Sequence, residues 1–513
     1  MIFELSFEHR DFGETLGFFL QNTLQKHSDL SYSIFQKEEG LLKLWIKCDD
    51  IVRLEQIIAE LSSKIPQSIY LDEIDSASFE DENLPEMMQI TSIKPTAHFC
   101  PQCLQTKEGK CEVCSQEVIN PSNKIIASII KDLKEGKRVG VKSLSGEHHF
   151  SLKAIQGRLS QRVYCVNVEK ILEICTPTSK ELKALASYEK PTVRLKPFGE
   201  EAKEEFLLVS LDQDIALFRL FEALKAQDIA FVYGANGVDV SYVLAEKIKE
   251  SNEIVVYENE HFALLKTEKI PQELEEKFNS MHSPDKAFLS TIICENALEQ
   301  KNILNFYFSF EGGDKVCLYN AQTQWFNEVM NFALPKDLFT LLEEIRALDE
   351  NSARLIENFS AKYPTALKEN ISFESLPQGI YGVWEIVKLV LKLEDNPYHI
   401  ALKNLDKRGV AIDYVFEKDS VILQKFNLAK CIACGMSFTM AGVENEVIAL
   451  GYVESFSHLP SKLYLALRNL VEIEGISFCG DLFSSKMIGD FFYFNNRQTL
   501  IYRNKKFPLL YKR

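Results

Sequence analysis

Apolar and polar positions alternate with a period of two at the start of the chain. Phe3, Leu5 and Phe7 are separated by polar residues, the mark of a half-buried strand. A helical stretch follows from Gly13 to Lys26. Leu30, Tyr32 and Ile34 mark a second strand and Leu42, Leu44 and Ile46 a third, with Lys37 to Gly40 as the hairpin turn. Ile51, Leu54, Ile57, Ile58 and Leu61 then recur at helical spacing, and a last strand runs from Ser68 to Ala77. The order strand–helix–strand–strand–helix–strand predicts a ferredoxin-like split unit over residues 1–92.

Asp81 to Ile93 is acidic, contains Pro85, and reads as a linker. Beyond it, Ile125, Ile126, Ile129, Ile130 and Leu133 form a helical stripe stopped at Gly136, and the strand Arg138–Lys142 follows at once. Helices and strands alternate to about residue 270, predicting an α/β unit. Pro271 to Pro284, rich in Glu, Lys and Ser, reads as a second linker. In the last part, strands are expected at Ile303–Phe310 and Lys315–Tyr319, joined by Glu311-Gly312-Gly313-Asp314. A long helical pattern broken in its middle spans Asp337–Phe359, and a second strand set begins at Gly409–Asp413 and continues through Val421-Ile422-Leu423. Strands before helices in two successive halves suit an actin-like pair of lobes. The fold class expected is multidomain α/β and α+β.

Length agrees with this division, because 513 residues exceed one hydrophobic core and suggest three to four domains. No window holds eighteen consecutive apolar residues, and the N-terminus lacks a basic region followed by a long apolar run. A soluble, cytoplasmic protein without a membrane partner is expected. The net charge of -16 argues against nucleic acid as the main partner. The exception is local: between Lys124 and Arg162 stand nine Lys or Arg residues against Asp132, Glu135 and Glu147. That stretch is either a solvated basic face or a phosphate-binding surface.

Of twelve cysteines, four form one group. Cys100-Pro-Gln-Cys103 and Cys111-Glu-Val-Cys114 are two C-x-x-C pairs separated by seven residues. Each pair can wrap a tight turn that offers two thiolates, and Gly109 in the short arm lets the second pair fold back onto the first. The result is the four-sulfur shell of a structural zinc site, closed to catalysis because protein fills every position. Cys431-Ile-Ala-Cys434 is a lone pair among Phe426, Leu428, Met436 and Phe438. It reads as core packing, with a redox pair as the alternative.

The order of these parts, a ferredoxin-like unit, zinc knuckles, an α/β unit starting helix-Gly-strand-Lys, and a two-lobed α/β unit, resembles the hydrogenase-maturation carbamoyltransferases, the HypF family. The resemblance implies an acylphosphatase-like domain over 1–92, zinc knuckles over 93–120, a YrdC-like nucleotide domain over 121–272 and an actin-like (ASKHA) carbamoyltransferase domain with two lobes over 285–513. It further implies the use of carbamoyl phosphate and ATP to form carbamoyl adenylate. The carbamoyl group then passes to a terminal cysteine of a partner and becomes the cyanide ligand of nickel–iron hydrogenase.

At most functional positions the chain departs from that family. In the first domain the phosphate loop falls on Asp11 to Phe18, with Phe in place of the phosphate-holding Arg, and Gln36 stands where an Asn is expected. One set of knuckles remains where the family has two. The family's V-K-G-x-G-G-F-H is matched by Val141-Lys142-Ser143-Leu144-Ser145-Gly146-Glu147-His148, which keeps Lys142, Gly146 and His148. Its R-P-S-K-P-F appears as Arg158-Leu159-Ser160-Gln161-Arg162-Val163, so the substrate-gripping Lys has become Gln161. Its S-A-N appears as Gly234-Ala235-Asn236. In the last domain the H-H-x-H metal motif falls on Asn396-Pro397-Tyr398-His399, leaving His399 alone. The next phosphate loop keeps Asp413 but has bulky residues for its glycines. Asp481, in Cys479-Gly480-Asp481-Leu482-Phe483, would repel a phosphate. The chain ends at Phe507–Arg513, about where the family's metal-binding D-G-G is expected to begin.

Three functions follow. The first is a degenerate HypF-like protein, with fold and zinc kept and carbamoyl transfer weak or lost, acting as a nucleotide- or partner-binding module. The second is a surviving transferase in which Lys142, His148 and Asn236 hold ATP while His399 and Asp413 serve the transfer site for carbamoyl phosphate. The third is RNA binding through Lys124 to Arg162.

Overall fold

The period-two alternation at the N-terminus becomes β1 (Ile2–His9), which pairs antiparallel with β3 (Leu41–Lys47) on one side and β4 (Leu71–Phe79) on the other. With β2 (Ser31–Glu38) the sheet order is β2-β3-β1-β4, the split arrangement expected. Phe7, Leu42, Leu44 and Ile46 bury one face against Leu16, Phe19 and Leu20 of the helix Gly13–Leu24 and Leu54, Ile57 and Leu61 of the helix Ile51–Lys64. The second helix starts where Asp50 accepts hydrogen bonds from the backbone N–H groups of Val52 and Arg53.

This computed structural model describes residues 1–10, 13–38, 40–80, 83–85, 97–106, 109–154, 160–198, 205–235, 238–248, 251–258, 262–268, 270–420 and 422–512. Most of the expected linker at Asp81–Ile93 lies outside them. The chain divides into two units, Met1–Lys269 and Ile270–Arg513.

The rest of the first unit is built on nine strands: β5 (Val139–Ser143), β6 (Gly146–Ser151), β7 (Ser160–Cys165), β8 (Thr192–Leu195), β9 (Phe206–Ser210), β10 (Phe231–Gly234), β11 (Val240–Val243), β12 (Glu253–Val255) and β13 (Ala263–Lys266). Their order is β11-β5-β6-β10-β7-β9-β8-β12-β13. The helix Asn123–Lys134 precedes β5 and buries Ile126, Ile129 and Leu133, and Gly136 at φ +79° ends that turn. The two parts of this unit share contacts. Glu189 is buried, accepts from the Ser68 hydroxyl at 2.5 Å and from the Ile69 N–H at 3.0 Å, and burial raises its carboxyl.

The described strands of the second unit form one sheet: β14 (Ile303–Tyr307), β15 (Lys315–Asn320), β16 (Trp325–Asn331), β17 (Phe416–Lys418), β18 (Gln424–Phe426), β19 (Gly475–Cys479) and β20 (Ile501–Tyr502). The order is β17-β18-β16-β15-β14-β19-β20, with β14, β15 and β16 an antiparallel meander and β14, β19 and β20 parallel. Phe308, Phe456, Phe478 and Phe492 knit the sheet to its helices, with ring centroids 4.8–5.7 Å apart.

Three expectations are corrected here. Two lobes are not formed among the described residues, because β17 and β18 extend the edge of the single sheet through the parallel pair β16·β18 instead of founding a second one. The segment 409–413 is not a strand. Its backbone lies on the helix Asn445–Phe456, with a Cβ at Gly451 only 2.4 Å from Val410 O and with the Ile412 N–H donating to Ser455 Oγ at 2.9 Å. The supposed linker 271–284 contains the helix Gln272–Ser280, which buries Leu274 and Phe278 one turn apart, and the helix Pro284–Glu295 begins at once. The break inside 337–359 is real: helices Leu338–Arg346 and Glu350–Lys362 are separated where Asp349 accepts from the Ser352 N–H at 2.7 Å.

Candidate metal centre and nucleotide-site residues

Cys100 stands at the N-terminal edge of the short helix Pro101–Gln105, so the first knuckle turns with the Cys103 N–H on Cys100 O at 2.9 Å. The second knuckle turns through the Ser115 N–H on Cys111 O at 2.8 Å, with Ser115 at φ 56°. Gly109, at φ +84°, lets the arm reverse so that the Val118 N–H reaches Gly109 O at 2.9 Å. All four sulfurs are buried and lie within 4.8 Å of one another. Cys100 Sγ is 3.8 Å from Cys103 Sγ and 3.6 Å from Cys111 Sγ, and Cys103 Sγ is 3.3 Å from Cys114 Sγ. A tetrahedron with Zn–S bonds of about 2.3 Å has edges of about 3.8 Å, so the donor set fits zinc in number, type and spacing. The centre is tied to its surroundings in the first unit. Asn22 Nδ2 donates to Glu112 O and Val113 O at 2.7 and 2.9 Å, and Arg219 donates to Leu104 O at 3.2 Å.

Lys142 and His148 sit on the paired strands β5 and β6, where Val141 faces His148 and Lys142 faces Glu147. Residues directly opposite each other share a face and successive residues alternate, so Lys142 and His148 point to opposite faces of the sheet. Lys142 Nζ lies 2.6 Å from Glu246 at the half-exposed face. His148 is buried. Its Nε2 is 3.0 Å from Ser143 Oγ and 3.1 Å from Ser145 Oγ, and its Nδ1 is 3.3 Å from the Tyr164 hydroxyl. Burial pushes its imidazole down to about 4, overriding the upward pull of the Asp214 charge.

Asp214 joins this group unannounced by any motif. It accepts from Ser143 Oγ at 2.6 Å and from the Ser145 N–H and hydroxyl, and it also caps the helix Ile215–Lys225 through the Ala216 and Leu217 N–H groups. An Asp ahead of an amphipathic run was the readable signal, although it announces only the cap. Gln161 is buried and donates to Gly234 O and Arg162 O at 3.2 and 3.1 Å. Asn236 lies outside the described residues, as do Arg158 and Leu159.

Three lysines of the basic stretch are paired with carboxylates. Lys131 pairs with Glu135, Lys137 with Asp132 and Glu135, and Lys142 with Glu246. In the second unit, His399 Nδ1 lies 3.3 Å from Asp395 near the start of the helix Pro397–Lys403, and Asp413 is exposed in the irregular segment ahead of β17. Among the described residues, no hydrogen bond or ion pair joins the two. Cys431 is buried on the helix Leu428–Met440 and its thiol is pushed far up by burial. Cys434 Sγ donates to Ala411 O at 3.7 Å.

No family model matches the chain. In sequence it is 23% identical over 390 residues, 70% of this chain and 68% of the relative, to Protein HydE of Wolinella succinogenes. In structure it is similar to the crystal structure of full-length HypF in the phosphate- and nucleotide-bound form. That match has a TM-score of 0.54 and 13% identity, and covers 99% of this chain and 96% of the other. It is also similar to the crystal structure of T. kodakarensis HypF, with a TM-score of 0.58, 8% identity and the same two coverages. The chain therefore resembles HypF in fold along its length.

Proposed function

We propose that this protein is a HypF-like factor of nickel–iron hydrogenase maturation in which carbamoyl transfer is weak or lost, and which acts as a zinc-stabilised binding module in the cytoplasm. The observation that carries the proposal is the placement of Lys142 and His148. Of the residues kept from the family's nucleotide motif, the two with ionisable side chains face opposite sides of one sheet, and the histidine is committed to a buried network with Ser143, Ser145 and Asp214. A phosphate gripped by Lys142 would meet no help from His148. Cys100, Cys103, Cys111 and Cys114 would hold one zinc as a structural ion, whose chemistry is to cross-link the two knuckles. The acylphosphatase-like, YrdC-like and actin-like names for the parts belong to the same proposal, as does a partner protein bearing an acceptor cysteine.

A transferase that survives is the second reading, and one observation favours it. The carboxylate paired with Lys142, Glu246, has a side chain 80% exposed, so a bound phosphate could displace it. A genetic complementation separates the readings. A strain lacking this chain should lose nickel–iron hydrogenase activity and regain it equally with wild type and with Lys142→Ala. Rescue by wild type alone, with the Lys142→Ala protein present at equal amount, would favour the transferase. No loss of hydrogenase in the deletion would reject the maturation role altogether.

A further inference from the structure

The C-terminal ends of β14 and β19 in the second unit open into a cavity of about 300 Å³. In open α/β sheets this end of adjacent parallel strands is where ligands bind, and the volume is at the lower end for small-molecule sites. Four aromatic rings wall it: Phe278, Phe288, Tyr307 and Tyr511. They are packed on one another, Phe278 lying 5.0 Å from Phe288 and from Tyr511, and Phe288 5.9 Å from Tyr307, so the walls are firm.

Two carboxylates, Asp481 and Glu311, face the same space, with Lys512, His282 and Ser309 beside them. Asp481 is delivered there by Gly480, whose φ of +99° and close approach to Phe308 O, 2.2 Å from an added Cβ, admit no side chain. Asp481 Oδ1 accepts from the Phe310 N–H at 2.8 Å, which fixes its carboxylate at the cavity. Burial is the largest influence on its carboxyl and raises it, Glu311 adding to the rise while the Phe310 N–H, the Ser309 side chain and the Lys512 charge oppose it. Lys512, the lysine of the lining, is engaged with Glu311 through side chains 65% and 70% exposed, a pair that solvent weakens.

We propose that this cavity binds an organic cation, a primary ammonium or guanidinium on an aliphatic stem, with the stem against the aromatic rings and the head on Asp481 and Glu311. The ring faces attract a cation, the carboxylates accept its N–H groups, and both reject phosphate, carboxylate and nucleotide ligands. Lys512 acts as the internal competitor for Glu311. The occupant is either a free small cation or a lysine or arginine side chain presented by a partner protein.

Titration calorimetry on the full chain tests this with butylguanidinium and n-butylammonium, against n-butyrate and n-butanol. Saturable binding is expected for the two cations, weakened about tenfold or more in Asp481→Asn, whose amide oxygen can still accept from Phe310, and strengthened in Lys512→Ala. Asp75→Asn, an exposed acid on β4, should leave binding unchanged. An extended peptide with one arginine that binds at least about tenfold tighter than butylguanidinium would make the occupant a partner's side chain, whereas equal or weaker binding would make it a free cation. The proposal is overturned by absence of saturable cation binding, by an unchanged affinity in Asp481→Asn, or by butyrate binding as well as the cations do.

Discussion

His148 lies at the centre of the polar interior of the first unit, and its protonation state couples to stability. Its folded-state value, about 4, is below the ordinary histidine value of about 6.5. Between these values the unfolded chain binds a proton that the folded chain refuses, so the contribution is complete above about pH 6.5 and is lost as pH falls towards 4. The full shift corresponds to roughly 3 kcal/mol. In His148→Gln the denaturation midpoint should therefore fall less between pH 6.5 and 4.5 than in wild type; equal slopes would place the titration elsewhere. The resemblance singled out Lys142 and His148 in the sequence, but their separation could not be read from it. It depends on the register of a hairpin, in which a one-residue slip exchanges the two faces. Asp214 was invisible for a related reason, since its contacts with Ser143 and Ser145 join positions about seventy residues apart.

Among the elements, the four-cysteine module was the most legible, because both knuckles and the reversing Gly109 are local. The first sheet was legible for the same reason: its strands alternate cleanly and its order follows from the order of elements. The helix Gln272–Ser280 was missed because only Leu274 and Phe278 declare its apolar face, amid six charged or amide side chains. The strand expected at 409–413 failed because burial of Ile412 and Tyr414 against helices mimics the alternation of a sheet. The module also makes a testable claim about stability. Purified protein should carry one zinc per chain, and Cys103→Ser or strong chelation should remove it, lowering stability by about 3 kcal/mol or more. Faster amide exchange should appear at Cys111, Ser115 and Val118, whose N–H groups close the second knuckle. A chain that is metal-free as purified, and no less stable than one offered zinc, would remove the ion from the picture.

For the whole molecule, the order of parts pointed to a HypF-like fold and the structural comparisons agree along its length. What the order did not reveal is how much of the second unit is built. Among the described residues a single seven-stranded sheet stands where two lobes were expected, and no hydrogen bond or ion pair joins His399 and Asp413. Neither fact can be read from periodicity, because which sheet a short strand such as Gln424–Phe426 joins is decided by long-range pairing with Met330 and Asn331. The opposite faces of Lys142 and His148 and the separate hydrogen-bond partners of His399 and Asp413 are what support the proposal that carbamoyl transfer is weak or lost. The most direct measurement is release of AMP and pyrophosphate from ATP by zinc-loaded protein, with and without carbamoyl phosphate, beside an active HypF as control. No release above background is expected from this chain while the control turns over; release that depends on carbamoyl phosphate would show that the site is assembled and that the protein is a working transferase.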